Sequence, residues 1–174
     1  MQAQQQSASG EVAAATSHIL TQEQLLEAFA ADPTAARRAI FDFNKQTLAA
    51  AMRGLGISSL TVSYSGSGDS GQIDEVSFEP WTELGADDTA QAAVSEWHWN
   101  GDDRRSHEQL VFAALGLVDF AESLCDAAIA LCDHDGYENN DGGEGRFTLQ
   151  AEGASAELEH SDFYVERETS THAL

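Results

Sequence analysis

The string Asp133-His134-Asp135-Gly136-Tyr137-Glu138-Asn139-Asn140-Asp141-Gly142-Gly143-Glu144 crowds carboxylates and amide carbonyls into a stretch free of lysine and arginine. Hard divalent cations are held by such oxygens, offered from flexible loops. A second string, Ser65-Gly66-Ser67-Gly68-Asp69-Ser70-Gly71, adds one carboxylate and several hydroxyls between glycines. With both strings at one end of a sheet, Asp69, Asn139, Asn140, Asp141 and Glu144 would converge on a calcium or magnesium ion. That would make a divalent-cation-dependent ligand-binding domain or hydrolase. The plainer reading of both strings is conformational. Asn, Asp and Gly tolerate left-handed backbone and bond their own main chain, as tight turns require. On composition the conformational reading takes precedence, and no cofactor beyond such a cation is expected.

A third group is Asp119, Glu122, Asp126 and Asp133. Steps of three, four and seven put these carboxylates on one helix face, and no basic residue after Arg105 neutralises them in that segment. They read as a solvated outer face or, more sharply, as an interaction surface for a basic partner, or as part of a metal site if a histidine joins them, His134 being adjacent.

Familiar catalytic patterns are incomplete. Gly68-Asp69-Ser70-Gly71 looks like the nucleophile motif of chymotrypsin-like serine proteases, whose serine needs a histidine base oriented by a carboxylate. In that family both precede the serine; here His18 is the one histidine before Ser70. Set against an EF-hand loop, Asp133, Asp135 and Glu144 fill the first, third and twelfth positions. Tyr137 stands at the fifth, however, and Glu138 replaces the turn glycine. The six histidines, His18, His98, His107, His134, His160 and His172, form no HxH or HExxH pair. His160 alternates with Leu158 and would share its face in a strand. Cys125 and Cys132 lie about two helical turns apart, too far for a disulfide, and read as reduced core thiols. Trp81, Trp97 and Trp99 read as core or partner-facing residues.

The elements that must carry these residues follow from periodicity. Thr21-Gln22-Glu23-Gln24 has the form of a capping box before a short helix ending near Asp32. Asp32-Pro33 starts a second helix, with Ile40, Phe43, Leu48, Ala51 and Leu55 at helical spacing and Gly54 and Gly56 at its end. Leu60, Val62 and Tyr64 alternate as a strand. Ile73, Val76 and Phe78 form its hairpin partner, with a bulge and a stop at Pro80. A short strand is expected around Ser95–Trp99. From Ser106 to about Cys132 the stripe Leu110, Ala114, Leu117, Ala121, Leu124, Ala128 and Leu131 predicts one long helix. Phe147 and Leu149, then Ala156, Leu158 and His160, predict a second hairpin. The fold class is therefore α+β: a four-stranded antiparallel sheet of two hairpins, with a long helix and N-terminal helices on one face. Residues 1–18 are expected to be disordered or loosely attached, 19–164 to form a single domain, and 165–174 to be a polar tail.

The net charge is −22, from 8 basic and 30 acidic residues. Phosphate backbones and anionic membrane surfaces are bound by lysine and arginine clusters, so neither is an expected partner. The acidity is either a solvated surface or an imitation of nucleic acid toward a basic protein partner. With no signal peptide, no apolar run of membrane-spanning length and two reduced cysteines, a cytoplasmic location is expected.

Two segments carry a family resemblance. Val62-Ser63-Tyr64-Ser65-Gly66-Ser67-Gly68-Asp69-Ser70-Gly71-Gln72-Ile73 comes first. Tyr137-Glu138-Asn139-Asn140-Asp141-Gly142-Gly143-Glu144-Gly145-Arg146-Phe147, followed by Leu158-Glu159-His160, comes later. Together they resemble a family of small uncharacterised bacterial and plasmid-borne proteins of unknown function. The resemblance spans about Leu60 to Phe163, leaves the N-terminal helices outside, and implies an intact domain rather than an activity. The leading expectation is a non-catalytic cytoplasmic interaction or regulatory protein acting through its acidic surface. The alternative is the cation-dependent domain.

Overall fold

The computed structural model describes residues 19–100, 105–139, 141–164, 166 and 169. The N-terminal segment 1–18 and nearly all of the tail 165–174 lie outside the described residues.

Helix α1 (Gln22–Ala31) begins in the expected capping box, with Thr21 N–H donating to Gln24 Oε1 at 2.9 Å and Gln24 N–H donating to Thr21 Oγ1 at 3.3 Å. Asp32 ends α1 and opens α2 (Pro33–Gly54), its carboxylate accepting from the Thr34 and Ala35 amides at 3.0 Å each. Strands β1 (Ser59–Ser67) and β2 (Ser70–Glu79) form the first hairpin. Its turn is only Gly68–Asp69, at φ of 61° and 68°, because paired left-handed residues match the twist of the strands. The turn is therefore shorter than the Ser65–Gly71 span expected from composition. The bulge is present: Ser63 pairs with Glu75 and Tyr64 with Ile73, which leaves Asp74 as the extra residue.

The long helix expected from Ser106 is overturned in its first half. Thr89–Asn100 is strand β3 and Arg105–Gly116 is strand β4, paired in antiparallel register as a separate two-stranded ribbon. Helix α3 covers only Leu117–Leu131. Leu110 and Ala114 fit a helical stripe by spacing, but pairing with Ser95 and Gln91 of β3 overrides that local preference. Gly116, a poor residue inside a helix, is where the helix starts. The short strand foreseen around Ser95–Trp99 is the distal part of β3.

After α3 come β5 (Gly143–Gln150), a short turn of 3-10 helix and β6 (Ser155–Asp162). The main sheet is antiparallel, in the order β2-β1-β5-β6. Its inner face, with Leu60, Val62, Tyr64, Phe147 and Leu149, packs on Phe120, Leu124 and Ala128 of α3 and on Leu48 and Met52 of α2. A second cluster of Leu25, Phe29, Ala36, Ala93 and Leu110 binds the base of the ribbon to α1 and α2. Cys125 is buried in the core, whereas Cys132 is exposed at the end of α3, which corrects the reading of both as core thiols. No helix among the described residues is long and apolar enough to cross a membrane.

One buried polar side chain fixes the ribbon. Asn44 Nδ2 donates to Ala93 O at 2.8 Å, and Ala93 N–H donates to Asn44 Oδ1 at 2.7 Å. Asn44→Ala leaves both main-chain groups unmatched and is expected to cost about 2 kcal/mol. Urea denaturation checks the cost, and faster amide exchange at Ala93 would locate it on the ribbon.

Candidate metal centre

Strand alternation places Tyr64 and His160 on the inner face, and the register puts them in one row: Tyr64 of β1, Gly145 of β5 and His160 of β6. Strands lie about 4.8 Å apart, so β1 and β6 are separated by a full strand. Gly145 has no side chain to fill that gap, and a Cβ there would overlap the Tyr64 phenol. The Tyr64 ring crosses the gap, and its hydroxyl meets His160 Nδ1 at 2.8 Å, the two rings being stacked at 12°. The other nitrogen of His160, Nε2, is 3.1 Å from Asp162 Oδ1. Asp162 lies two residues on and at the strand's end, so it shares the face of His160 but opens to solvent. The side chains of His160 and Asp162 are 3% and 74% exposed.

His134 is delivered by the end of α3. Asp133 takes a left-handed φ of 60°, its N–H donates to Ala130 O at 3.3 Å, and the His134 N–H donates to Ile129 O at 3.1 Å. This is a Schellman cap with aspartate in the usual glycine position. It turns the chain back over the sheet, so that the His134 and His160 rings lie 4.1 Å apart between centroids. One ligand atom each from His134, His160 and Asp162 lies within 4.8 Å of the others. Among the described residues, this is where three histidine, cysteine or carboxylate groups gather in that way.

The glycine-rich loops form the surroundings. Tyr137 packs edge-on against Tyr64 at 4.9 Å between centroids. It occupies a slot that side chains on Gly66 and Gly71 would close, their added Cβ atoms meeting its ring at 2.9 Å and its hydroxyl at 2.6 Å. Asp69 N–H donates to Glu138 O at 3.0 Å, so the two loops do meet, main chain to main chain. Of the carboxylates and amides expected to hold a cation, Asp69, Asn139, Asp141 and Glu144 are exposed, and Asn140 lies outside the described residues. Asp69, Asp141 and Glu144 are not members of the three-residue group. On α3, Asp119 and Asp126 are exposed, Glu122 is half-buried, and Asp133 serves in the cap.

Burial, reinforced by nearby acidic groups, pushes the Tyr64 phenol above its ordinary range, so it stays protonated at neutral pH. Burial, with Asp126 beside it, pushes the Cys125 thiol up to about 12. Cys125 is thus a packed thiol rather than a thiolate ligand. The Tyr64 hydroxyl both donates and accepts, so it satisfies either tautomer of His160. When Nδ1 carries the proton it donates to Tyr64 Oη, and Nε2 offers its lone pair on the side of Asp162 and His134. Ligating histidines are characteristically held in this way through their second nitrogen.

The sequence offered His134 as a ligand only beside the carboxylates of α3, not together with His160 and Asp162. The His160-x-Asp162 spacing and the shared face of His160 and Leu158 were legible. The cap that aims His134 and the row joining Tyr64 to His160 were not.

A family of unknown function, DUF6878, matches residues 40–174 of the chain. The match begins within α2 rather than at Leu60, so one of the N-terminal helices lies largely inside it, and it takes in Tyr64, His134, His160 and Asp162. No curated protein and no solved structure matches the chain.

Proposed function

The chain belongs to DUF6878, a family of unknown function, and we propose that it is a divalent transition-metal-binding domain centred on His134, His160 and Asp162. The observation that carries this reading is the convergence of three ligand atoms within 4.8 Å, with the second nitrogen of His160 held at 2.8 Å by buried Tyr64. Two imidazoles and one carboxylate suit zinc, iron(II), cobalt and nickel, whereas calcium and magnesium favour oxygen-only sets. The proposed cation therefore differs from the calcium or magnesium expected from the loops. Zinc fits best, since three protein ligands are a zinc set that keeps a fourth position for water or substrate. Asp162, at the solvent edge, puts that position within reach of a small ligand. A metal so placed polarises a carbonyl or phosphoryl oxygen and lowers the pKa of its bound water, the chemistry of metal-assisted hydrolysis.

Calorimetric titration with zinc and cobalt(II) tests the reading. One equivalent is expected to bind, and at a free metal concentration of 100 times Kd folding gains about 2.7 kcal/mol, visible as a raised Tm. Cobalt should add visible absorption of nitrogen and oxygen ligation. Failure of zinc, cobalt, nickel, manganese and iron(II) to bind would overturn it. Tighter binding of calcium or magnesium would return the cation to the oxygens of the loops.

A further inference from the structure

The β3–β4 ribbon has a buried base and an open end. Ala92, Ala93 and Leu110 are buried, whereas Ser95 to Trp99 on β3 and Ser106 and His107 on β4 are exposed. Among the described residues the two strands pair with each other alone, and near the base Asn44 takes the Ala93 N–H and C=O on the edge of β3. Alternation puts Ser95, Trp97 and Trp99 on one face. Trp97 lies opposite Glu108, and Trp99 opposite Ser106. Ser95 Oγ donates to Glu108 Oε1, holding that carboxylate beside the aromatic pair. On the reverse face His98 and His107 are cross-strand neighbours, and Glu96 lies 3.3 Å from His98. Trp97 and Trp99 are 69% and 67% exposed. Neither contributes to the hydrophobic clusters of the fold. Two adjacent open tryptophans are costly to leave in water and are enriched where partners dock.

Charge selects among the occupants. A second copy carries the same net charge of −22 and is repelled as a whole. Nucleic acid and anionic lipid are repelled for the same reason. A basic polypeptide is attracted, and lysine and arginine stack on indole faces. We propose that the distal half of the β3–β4 ribbon docks a lysine- and arginine-rich polypeptide segment. Its cations lie over Trp97 and Trp99 and pair with Glu108, which shares their face. This surface is formed by elements other than those of the metal group and does not depend on it.

Fluorescence anisotropy of labelled nonaarginine and nonalysine against the full chain tests the docking. The double variant Trp97→Ala/Trp99→Ala keeps every charge, so a merely long-range attraction leaves its affinity unchanged. It is expected to bind at least about tenfold more weakly, as the loss of two aromatic anchors implies. Trp97→Phe/Trp99→Phe should stay within about threefold of the wild type, since the stacking face remains. Circular dichroism of each variant establishes that the fold is kept. Equal peptide affinity in the alanine variant overturns the proposal. So does concentration-dependent dimerisation, or binding to phosphatidylcholine vesicles, that the alanine variant abolishes, because either assigns the tryptophans to a different occupant.

Discussion

Gly142→Ala is expected to destabilise the fold by about 2–5 kcal/mol, the combined cost of a left-handed alanine and of overpacking. Gly142 sits at a φ of 88°. A Cβ there would overlap the Gly66 carbonyl oxygen and approach Ser67 Cα at 2.9 Å and Gly66 C at 3.0 Å. All three are main-chain atoms of β1, so no rotamer change relieves the contact and the two loops must part. Gly68 is the control. It too is left-handed, at 61°, but nothing lies within 4 Å of an added Cβ. Gly68→Ala should therefore lose only the backbone contribution, about 1 kcal/mol. Against a total stability of about 5–15 kcal/mol for a domain of this kind, the difference is large in a urea denaturation curve. Equal losses in the two variants would mean that Gly142 is there for its φ alone.

That comparison marks the boundary between what the sequence conveys and what it hides. Local signals are read from neighbours in the chain, and they were legible. The Thr21 capping box, Asp32 as cap to Pro33, the bulge near Ile73 and the stop at Pro80 all depend on residues within a turn or two. Both hairpins of the main sheet followed from alternation alone. The glycines were legible as turn residues where φ is positive, at Gly68, Gly136 and Gly142. Gly66, Gly71, Gly143 and Gly145 serve differently, by admitting Tyr137, Tyr64 and His160 close to the sheet. That role requires knowing which strand lies beside which. β1 and β5 are separated by more than seventy residues, yet Tyr64, Gly145 and His160 share a row only because those strands pair. Ser106–Leu115 failed for the same reason. Its helical spacing was a local signal, and its partner, the Ala90–Trp99 stretch of β3, lies outside any helical window.

The proposed metal group gives the other large effect, and its three candidate ligands differ enough in burial to separate ligation from folding. His160→Ala removes a ligand and is expected to lower zinc affinity by more than about 100-fold, beyond the range of outer-shell changes. It also removes a side chain only 3% exposed, so part of any loss in Tm will be structural. Asp162→Asn lacks that ambiguity. Its carboxylate is 74% exposed, and stability without metal should stay within about 0.5 kcal/mol of wild type. Zinc affinity should nevertheless fall by at least about tenfold as the anionic ligand is lost. Tyr64→Phe tests the support behind the ligand. It leaves buried His160 Nδ1 without its partner, which costs about 1–3 kcal/mol of stability. Without the hydroxyl, nothing holds the imidazole behind its outer nitrogen, and zinc binding should weaken by about 10–100-fold. Calorimetric zinc titrations of the three variants, set beside their metal-free denaturation curves, resolve the two effects. A packing cluster with no affinity for metal predicts that His160→Ala and Tyr64→Phe lose stability and that Asp162→Asn changes nothing. A metal centre predicts that Asp162→Asn, stable as the wild type, fails to hold the ion.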